Sequence, residues 1–508
     1  MFNDLLMGFY SCFQPGNFIA LVAGTIAGIM AGAVPGLDCS VATALLITLT
    51  YKMTPSEAFV FLAGIYCGGV YGGQIPAILF RVPGASEAVM TTLDGYPMAQ
   101  KGEAGKALGI GLLCSLLGGL FGVMILILLA PPLANLALEF GPAEYFGLSV
   151  LGLSCISSLG AKSQMKAIIS GLLGLLFATV GLDQITGMAR FTFGTGMLQG
   201  GINFIPAVIG LFAAAEVYNQ ISLKRYEMGG VRDEKKSNRV KVKLPSFSEL
   251  WPIKWSMLRS AIIGTWIGIL PGVGATTAAI VGYAQAVRFS KHPEKFGTGI
   301  IEGIAAPETA NNAATGGAMV PLLALGIPGS ATTAIMIGAF YLHGLQIGPM
   351  FLQQNKPLAY TIFAGMALAN VIFFVLGFFA IKAFAKVLEL KYPYLAANIL
   401  AFCAVGAAAM GDIYGMKMMF IFAVLGFFME KYGFPVAPMV LGLVLGPIAE
   451  PGLRRALLIA DYDVWLVLTR PITAFFLILS IFSLLTPVLR NLFSRRKGHE
   501  MMDIKSQD

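Results

Sequence analysis

Apolar residues run along the chain from Phe18 to Leu489 in stretches of full or half membrane-span length, separated by short polar breaks. A bilayer core takes about 20 apolar residues per helix. Four stretches of this kind lie between Lys101 and Lys224, at about 107–130, 145–160, 167–182 and 203–221. Four more follow at about 358–381, 394–410, 416–430 and 434–448, and a last one at about 464–489. Two further pairs are broken in the middle by Pro-Gly: 18–34 with 38–50 around Pro35-Gly36, and 258–270 with 272–289 around Pro271-Gly272. Their pieces are short for a span, so each pair predicts a re-entrant hairpin with the dipeptide at its tip. The pattern as a whole predicts an all-α, polytopic integral membrane protein.

Composition supports that class. The 508 residues are 57% apolar and only 12% charged, against roughly a quarter charged in a soluble domain. The net charge of +8 would suggest a nucleic-acid partner in a soluble protein. Here the basic residues sit in short loops without interleaved aromatics, so the positive-inside rule accounts for them and no nucleic acid is expected. Loops near Lys101 and Lys106, near Lys162 and Lys166, at Lys224–Lys243, and near Lys382, Lys386 and Lys391 are placed in the cytoplasm. So is the tail with Arg490, Arg495, Arg496 and Lys497. The surroundings of Glu139 and Glu144, and Asp183–Gln199, are poor in Lys and Arg and are placed outside. Met1–Tyr10 has no basic leader and no cleavage site follows, so no cleavable signal is expected. The six cysteines form no CxxC pair and there are only three histidines, so neither disulfides nor a metal site nor any bound cofactor is expected.

The two halves share ordered motifs. Gly24-Thr25-x-x-Gly28 returns as Gly264-Thr265-x-x-Gly268, Pro35-Gly36 as Pro271-Gly272, Gly72-Gly73 as Gly316-Gly317, and Pro83-Gly84 as Pro328-Gly329. So many correspondences in one order predict a duplication. The expected organisation is a first repeat at 1–222, a basic cytoplasmic linker at 223–256, a second repeat at 257–452, an extra helix at 453–490 and a cytoplasmic tail at 491–508. The second hairpin is flanked by Lys254, Arg259, Arg288, Lys291 and Lys295, which place its ends in the cytoplasm. The same number of crossings in each half then makes the first hairpin enter from the opposite side. This is the inverted-repeat arrangement of secondary transporters, with broken helices at the substrate site.

Non-helical backbone at membrane depth persists where it is buried in protein or lines a wet cavity, and a half-helix N-terminus suits an anion. The candidate substrate-binding residues therefore cluster at the breaks. In the first half they are Pro35, Gly36, Ser40, Gln74, Gly84 and Ser86. In the second they are Pro271, Gly272, Gly274, Thr276, Thr277, Asn311, Asn312, Gly329, Ser330, Thr332 and Thr333. For any single Ser or Thr the alternative is close helix packing. Ionisable residues in apolar surroundings are costly and mark function, so Asp38, Asp94 and Glu308 are candidates for coupling a cation, Na+ or H+, to transport. The alternative for Asp38 and Asp94 is a cap or a loop carboxylate.

Several longer motifs carry a resemblance to a known family. They are Pro35-Gly36-Leu37, Tyr66-x-x-x-x-Tyr71-Gly72-Gly73, Val82-Pro83-Gly84 and Leu93-Asp94-Gly95-Tyr96-Pro97-Met98-Ala99-x-x-Gly102. Phe140-Gly141-Pro142-Ala143-Glu144-Tyr145-Phe146, Leu270-Pro271-Gly272-x-Gly274-Ala275-Thr276, Ala305-Ala306-Pro307-Glu308-x-Ala310-Asn311-Asn312 and Gly326-x-Pro328-Gly329-Ser330-x-Thr332-Thr333 add to them. Together they resemble the large membrane subunit of tripartite tricarboxylate transporters over about 18–490. The resemblance implies an ion-gradient-driven importer in the bacterial inner membrane. It implies two partners, a periplasmic solute-binding protein and a small four-helix membrane subunit, and a small organic carboxylate as substrate. That family commonly has glycine where this chain has Asp38. The competing readings are a stand-alone cation–carboxylate symporter, a passive channel and a membrane-embedded enzyme. The scarcity of histidine argues against the enzyme, and two inverted halves argue against the channel.

Overall fold

A computed structural model describes residues 1–34, 37–154, 163–222, 242–387 and 392–484. Pro35 and Gly36, residues 223–241 of the expected 223–256 linker, and the C-terminal tail lie outside the described residues. The described chain is all-α apart from one short β-hairpin, Gly181–Leu182 with Ala189–Arg190. Seven helices among the described residues are long and apolar enough to cross a membrane. They include Thr91–Ala137, Lys356–Ile381 and Val436–Ile459. Helices Gln164–Ala178 and Pro471–Leu484, read from the sequence as parts of full crossings, are apolar but shorter.

Local sequence signals start and stop these elements. Thr54 caps the Pro55–Gly72 helix in a reciprocal box: the Thr54 amide donates to the Glu57 carboxylate at 2.9 Å, and the Glu57 amide donates to the Thr54 hydroxyl at 3.4 Å. The expected break at Pro271-Gly272 is present. Helix Lys254–Ile269 ends at an extended Leu270, and a new helix starts at Gly274 and runs to Phe289. The run Tyr392–Lys431 is assigned as one helix. A Cβ at Gly415 would nevertheless meet the Ala407 carbonyl, whereas a straight helix keeps residues that far apart in sequence about 12 Å apart. The described residues on either side form two apolar helices, Pro393–Ala409 and Ile413–Lys431.

Two helix pairs, one from each half of the chain, pack alike. Helix Pro15–Ala33 lies against Pro55–Gly72, and Lys254–Ile269 lies against Ile301–Leu325. In the first pair Gly28 and Gly32 press on the carbonyls of Ile65 and Gly69. In the second, Gly264 and Gly268 press on those of Ala310 and Ala314. From the other side, Gly72 presses on the Ile29 carbonyl and Gly317 on that of Thr265. Gly84 presses on the Gly32 carbonyl and Gly329 on that of Gly268. A side chain at any of these positions would collide with backbone, so the small residues let the helices approach closely. The contacts also correct the register of the repeat. Gly28, not Gly24, is the counterpart of Gly264, one helical turn away from the motif alignment. Gly72 matches Gly317 rather than Gly316. The Gly-Thr-x-x-Gly motif misleads because small residues recur every turn along both helices.

The chain divides into two compact units, and each combines segments from both halves. One comprises Met1–Leu138 with Asn203–Lys431 and holds both broken-helix regions. The other begins with Glu139–Ile202 and resumes at Tyr432. Within this second unit, helix Gln164–Ala178 packs on Val436–Ile459 through Gly174, which presses on the Met439 carbonyl, and Gly442, which presses on that of Gly171. An ion-pair network lies at one end. Arg190 grips Glu450 with two bonds of 2.5 and 3.2 Å, and Arg454 reaches Asp183 at 2.7 Å and Glu450 at 3.2 Å. The Ile185 amide and the Arg454 guanidinium hold the Asp183 carboxyl well below the usual carboxylate range.

Candidate functional site

Two polar clusters lie inside the first unit. The deeper one surrounds Glu308. Helix Ile301–Leu325 is buried along nearly its whole length, and spacing of three and four residues sets Glu308, Asn311, Asn312 and Thr315 on one face. Glu308 has no exposed surface. The Thr91 hydroxyl donates to its Oε1. The Ser115 hydroxyl donates to Oε2 at 3.1 Å and the Asn311 amide at 3.4 Å. Asn311 also donates to the Glu87 carbonyl at 3.1 Å. Asn312 donates to Asn311 Oδ1 at 2.7 Å and to the Glu308 carbonyl at 3.0 Å. Gln74 donates to Ser115 Oγ at 3.4 Å.

All the Glu308 donors named here are neutral, so its charge meets hydroxyl and amide dipoles rather than a cation. Gln74 Oε1 and Asn312 Oδ1 are buried without a hydrogen-bond partner. The cluster thus has a surplus of oxygen acceptors around a carboxylate, contributed by four helical segments. Such a set suits a hard cation or a proton.

The second cluster gathers at the broken helices. Gly272 and Gly274 both have left-handed backbones, φ 73° and 70°, which glycine adopts without strain. They let the chain turn sharply after Pro271, and the Gly272 amide donates to the Pro328 carbonyl at 3.2 Å. The two Pro-Gly breaks of the second half are thereby tied together. Gly274 lies against Ser330. No side chain caps the helix it begins. Ser330 caps the Ala331–Leu342 helix, exchanging bonds with Thr333, and its hydroxyl pairs with that of Tyr66 at 3.1 Å. Thr332 is buried on the same turn. From the first half, Ser86 reaches Thr276 hydroxyl to hydroxyl at 2.9 Å. Thr276 and Thr277 are half-buried and Ser86 is exposed, so this cluster has an open side.

The remaining sequence candidates fall in distinct places. Pro35 and Gly36 lie outside the described residues. Asp38 caps the returning half-helix Cys39–Leu46: its Oδ1 accepts from the amides of Ser40 and Val41, both at 3.0 Å, and from the Ser40 hydroxyl at 2.5 Å. Gly84 and Gly329 sit at the close backbone approaches described above. Asp94, one turn along the helix from Thr91, makes its hydrogen bonds outside the Glu308 cluster among the described residues. Its Oδ1 accepts from the amides of Gly297, Gly299 and Ile300 at 2.8–3.1 Å, and its Oδ2 accepts from the Tyr283 hydroxyl at 2.9 Å. That carboxylate fastens the loop before helix Ile301–Leu325. Sequence reasoning missed Ser115 and Tyr66 as site residues. Ser115 is an isolated hydroxyl in a long apolar run, and such residues usually bond their own helix. Tyr66 stood out only as part of a motif.

Comparison with known proteins agrees with this architecture. An uncharacterised 52.8 kDa protein in the TAR-I ttuC' 3' region of Agrobacterium vitis is 37% identical over 500 residues, covering 98% of each chain. An uncharacterised protein in the TAR-II ttuC' 3' region of the same organism is 35% identical over 237 residues, covering 46% of this chain and 97% of that protein. No solved structure matches. The family model described as the tripartite tricarboxylate transporter TctA family matches residues 18–441, and the chain belongs to that family of large membrane transporter subunits.

Proposed function

We propose that this chain is the permease of a binding-protein-dependent, ion-gradient-driven importer of small organic carboxylates, and that it catalyses no covalent reaction. The observation that carries the reading is Glu308, a fully buried carboxylate held by the Thr91 and Ser115 hydroxyls and the Asn311 amide, with no cation beside it among the described residues. An ionisable side chain in such a place marks an ion or proton pathway. Sodium ion or proton occupies the Glu308 cluster. The carboxylate is held beside it at the broken helices, by the uncapped amides at Gly274 and the hydroxyls of Ser86, Thr276, Ser330 and Thr333.

A periplasmic solute-binding protein delivers the substrate, and a small four-helix membrane subunit completes the assembly in the bacterial inner membrane. The linker and the C-terminal tail face the cytoplasm, as their lysines and arginines favour. The two halves run in opposite senses through the bilayer, and the broken helices move to open the site to one side and then the other.

The test is uptake of labelled carboxylates into proteoliposomes holding this chain and its small subunit, with and without the binding protein, under sodium or proton gradients. Glu308→Gln keeps the shape and one acceptor oxygen, but removes the charge and turns the other acceptor into a donor. Gradient-driven uptake by that variant falls to background, while its elution on gel filtration matches the parent. Normal uptake by Glu308→Gln would sink the coupling role. Full uptake without the binding protein would instead make the chain a stand-alone symporter.

A further inference from the structure

The two broken helices present their N-termini differently. The helix that starts at Gly274 has no side-chain cap among the described residues, and Thr276 on its first turn meets Ser86 at the open cluster. The helix that starts at Cys39 is filled by its own chain. Asp38 Oδ1 takes both the Ser40 and Val41 amides and the Ser40 hydroxyl. An anion arriving at this second helix end meets a carboxylate already bound to the donors it would use. Oδ2 of the same side chain has no donor among the described residues, and Asp38 is half-exposed.

Asp38 stands at the start of a half-helix that borders the second cluster. Its half-helix packs on the Ala331–Leu342 helix, which Ser330 caps. Cys39, next to Asp38, donates to the Tyr66 carbonyl at 3.5 Å, and the Tyr66 hydroxyl pairs with that of Ser330 at 3.1 Å. One end of the cluster therefore offers donors to an anion, and the other offers acceptors and negative charge.

We propose that Asp38 is a specificity-determining residue that selects carboxylates with one anionic end and a hydrogen-bond-donating, hydroxyl-bearing other end, and rejects those with a carboxylate at both ends. This rests on the carboxylate-carrier reading above. A hydroxyl of the substrate donates to Asp38 Oδ2, whereas a second substrate carboxylate there has no donor and faces like charge. Like-charge juxtaposition is a strong device against wrong ligands.

The test is direct binding to the purified full chain, without the binding protein, so that selection by the latter does not enter. The probes are labelled gluconate, succinate and citrate, at fixed sodium concentration and ionic strength. The parent protein prefers gluconate over succinate and citrate by about tenfold or more, the size expected when a like charge opposes a ligand. Asp38→Asn keeps the cap, since asparagine caps helices as well as aspartate, and removes the charge. It narrows the preference at least severalfold, and Asp38→Ser, a second good cap, does the same. An unchanged preference in both variants, or a parent that favours succinate or citrate, overturns the role of Asp38 and leaves the carrier reading intact. Binding of none of the three probes by any of the proteins sinks the carrier reading itself, and this proposal with it.

Discussion

The helix pairs Pro15–Ala33 with Pro55–Gly72 and Lys254–Ile269 with Ile301–Leu325 pack through matching glycines, yet they bury different chemistry. With Ile65 matched to Ala310 and Gly69 to Ala314, Ala63 occupies the place of Glu308, Tyr66 that of Asn311 and Cys67 that of Asn312. The first pair thus has a methyl group where the second has a buried carboxylate. Both pairs keep a cross-tie to the other half, through Tyr66 to Ser330 and Asn311 to the Glu87 carbonyl. Both pairs make the same backbone contacts, because close helix approach tolerates nothing larger than glycine there. Side chains facing the interior were free to diverge, and the ionisable group stands in one copy only. The first copy instead places its carboxylate, Asp38, at a helix start.

The difference can be broken most sharply by moving the charge. Ala63→Glu sets a carboxylate into the first copy without the Thr91, Ser115 and Asn311 donors that Glu308 has. Burying an unpaired charge costs several kcal/mol even after relaxation, about as much as a typical domain's whole margin. The variant is expected to lose its folded population, read as loss of the gel-filtration peak; normal accumulation would mean that the position of Ala63 is wet.

Shared packing gives a smaller and symmetric effect. Gly28→Leu and Gly264→Leu each drive a side chain into a facing backbone, at a cost of about 1–3 kcal/mol or more. Thermal unfolding of the two variants in the same detergent should fall by similar amounts. A large drop in one and none in the other would refute the register proposed for the repeat.

The cross-ties give the smallest effects and rank against each other. Tyr66→Phe removes one hydroxyl pair, worth about 0.5–1.5 kcal/mol. Asn311→Ala removes bonds to the Glu87 carbonyl and to Glu308, and leaves Asn312 without its acceptor on that side chain. It should destabilise more, by about 1–3 kcal/mol. The reverse order in thermal unfolding would place the weight of the interior on the first copy rather than the second.

Much of this was legible in the chain. Long apolar runs, few charges and the Pro-Gly breaks specify an all-α membrane protein with interrupted helices, because a bilayer admits little else from such a pattern. Glu308 was legible too: a lone carboxylate beside two asparagines in an apolar stretch has few inexpensive explanations. The role of Asp94 was harder to see. Its position in a glycine-rich, charged segment fits both an ion site and a loop clasp, and the three amides that bind it come from about two hundred residues away in sequence. Of the matched motifs, Pro83-Gly84 with Pro328-Gly329 agrees with the contacts, while Gly24 with Gly264 is a turn out of register, since glycines spaced every four residues align with themselves in more than one way.

The sequence by itself determined the class, the helical segments and the breaks, all of which follow from local composition and its periodicity. Only the tertiary structure decided which hydroxyls reach Glu308, that Asp38 spends its carboxylate on its own helix while the Gly274 end stays uncapped, and which glycines face which carbonyls. Those facts depend on contacts between residues far apart in the chain, and no local pattern encodes which distant donor will meet a given acceptor.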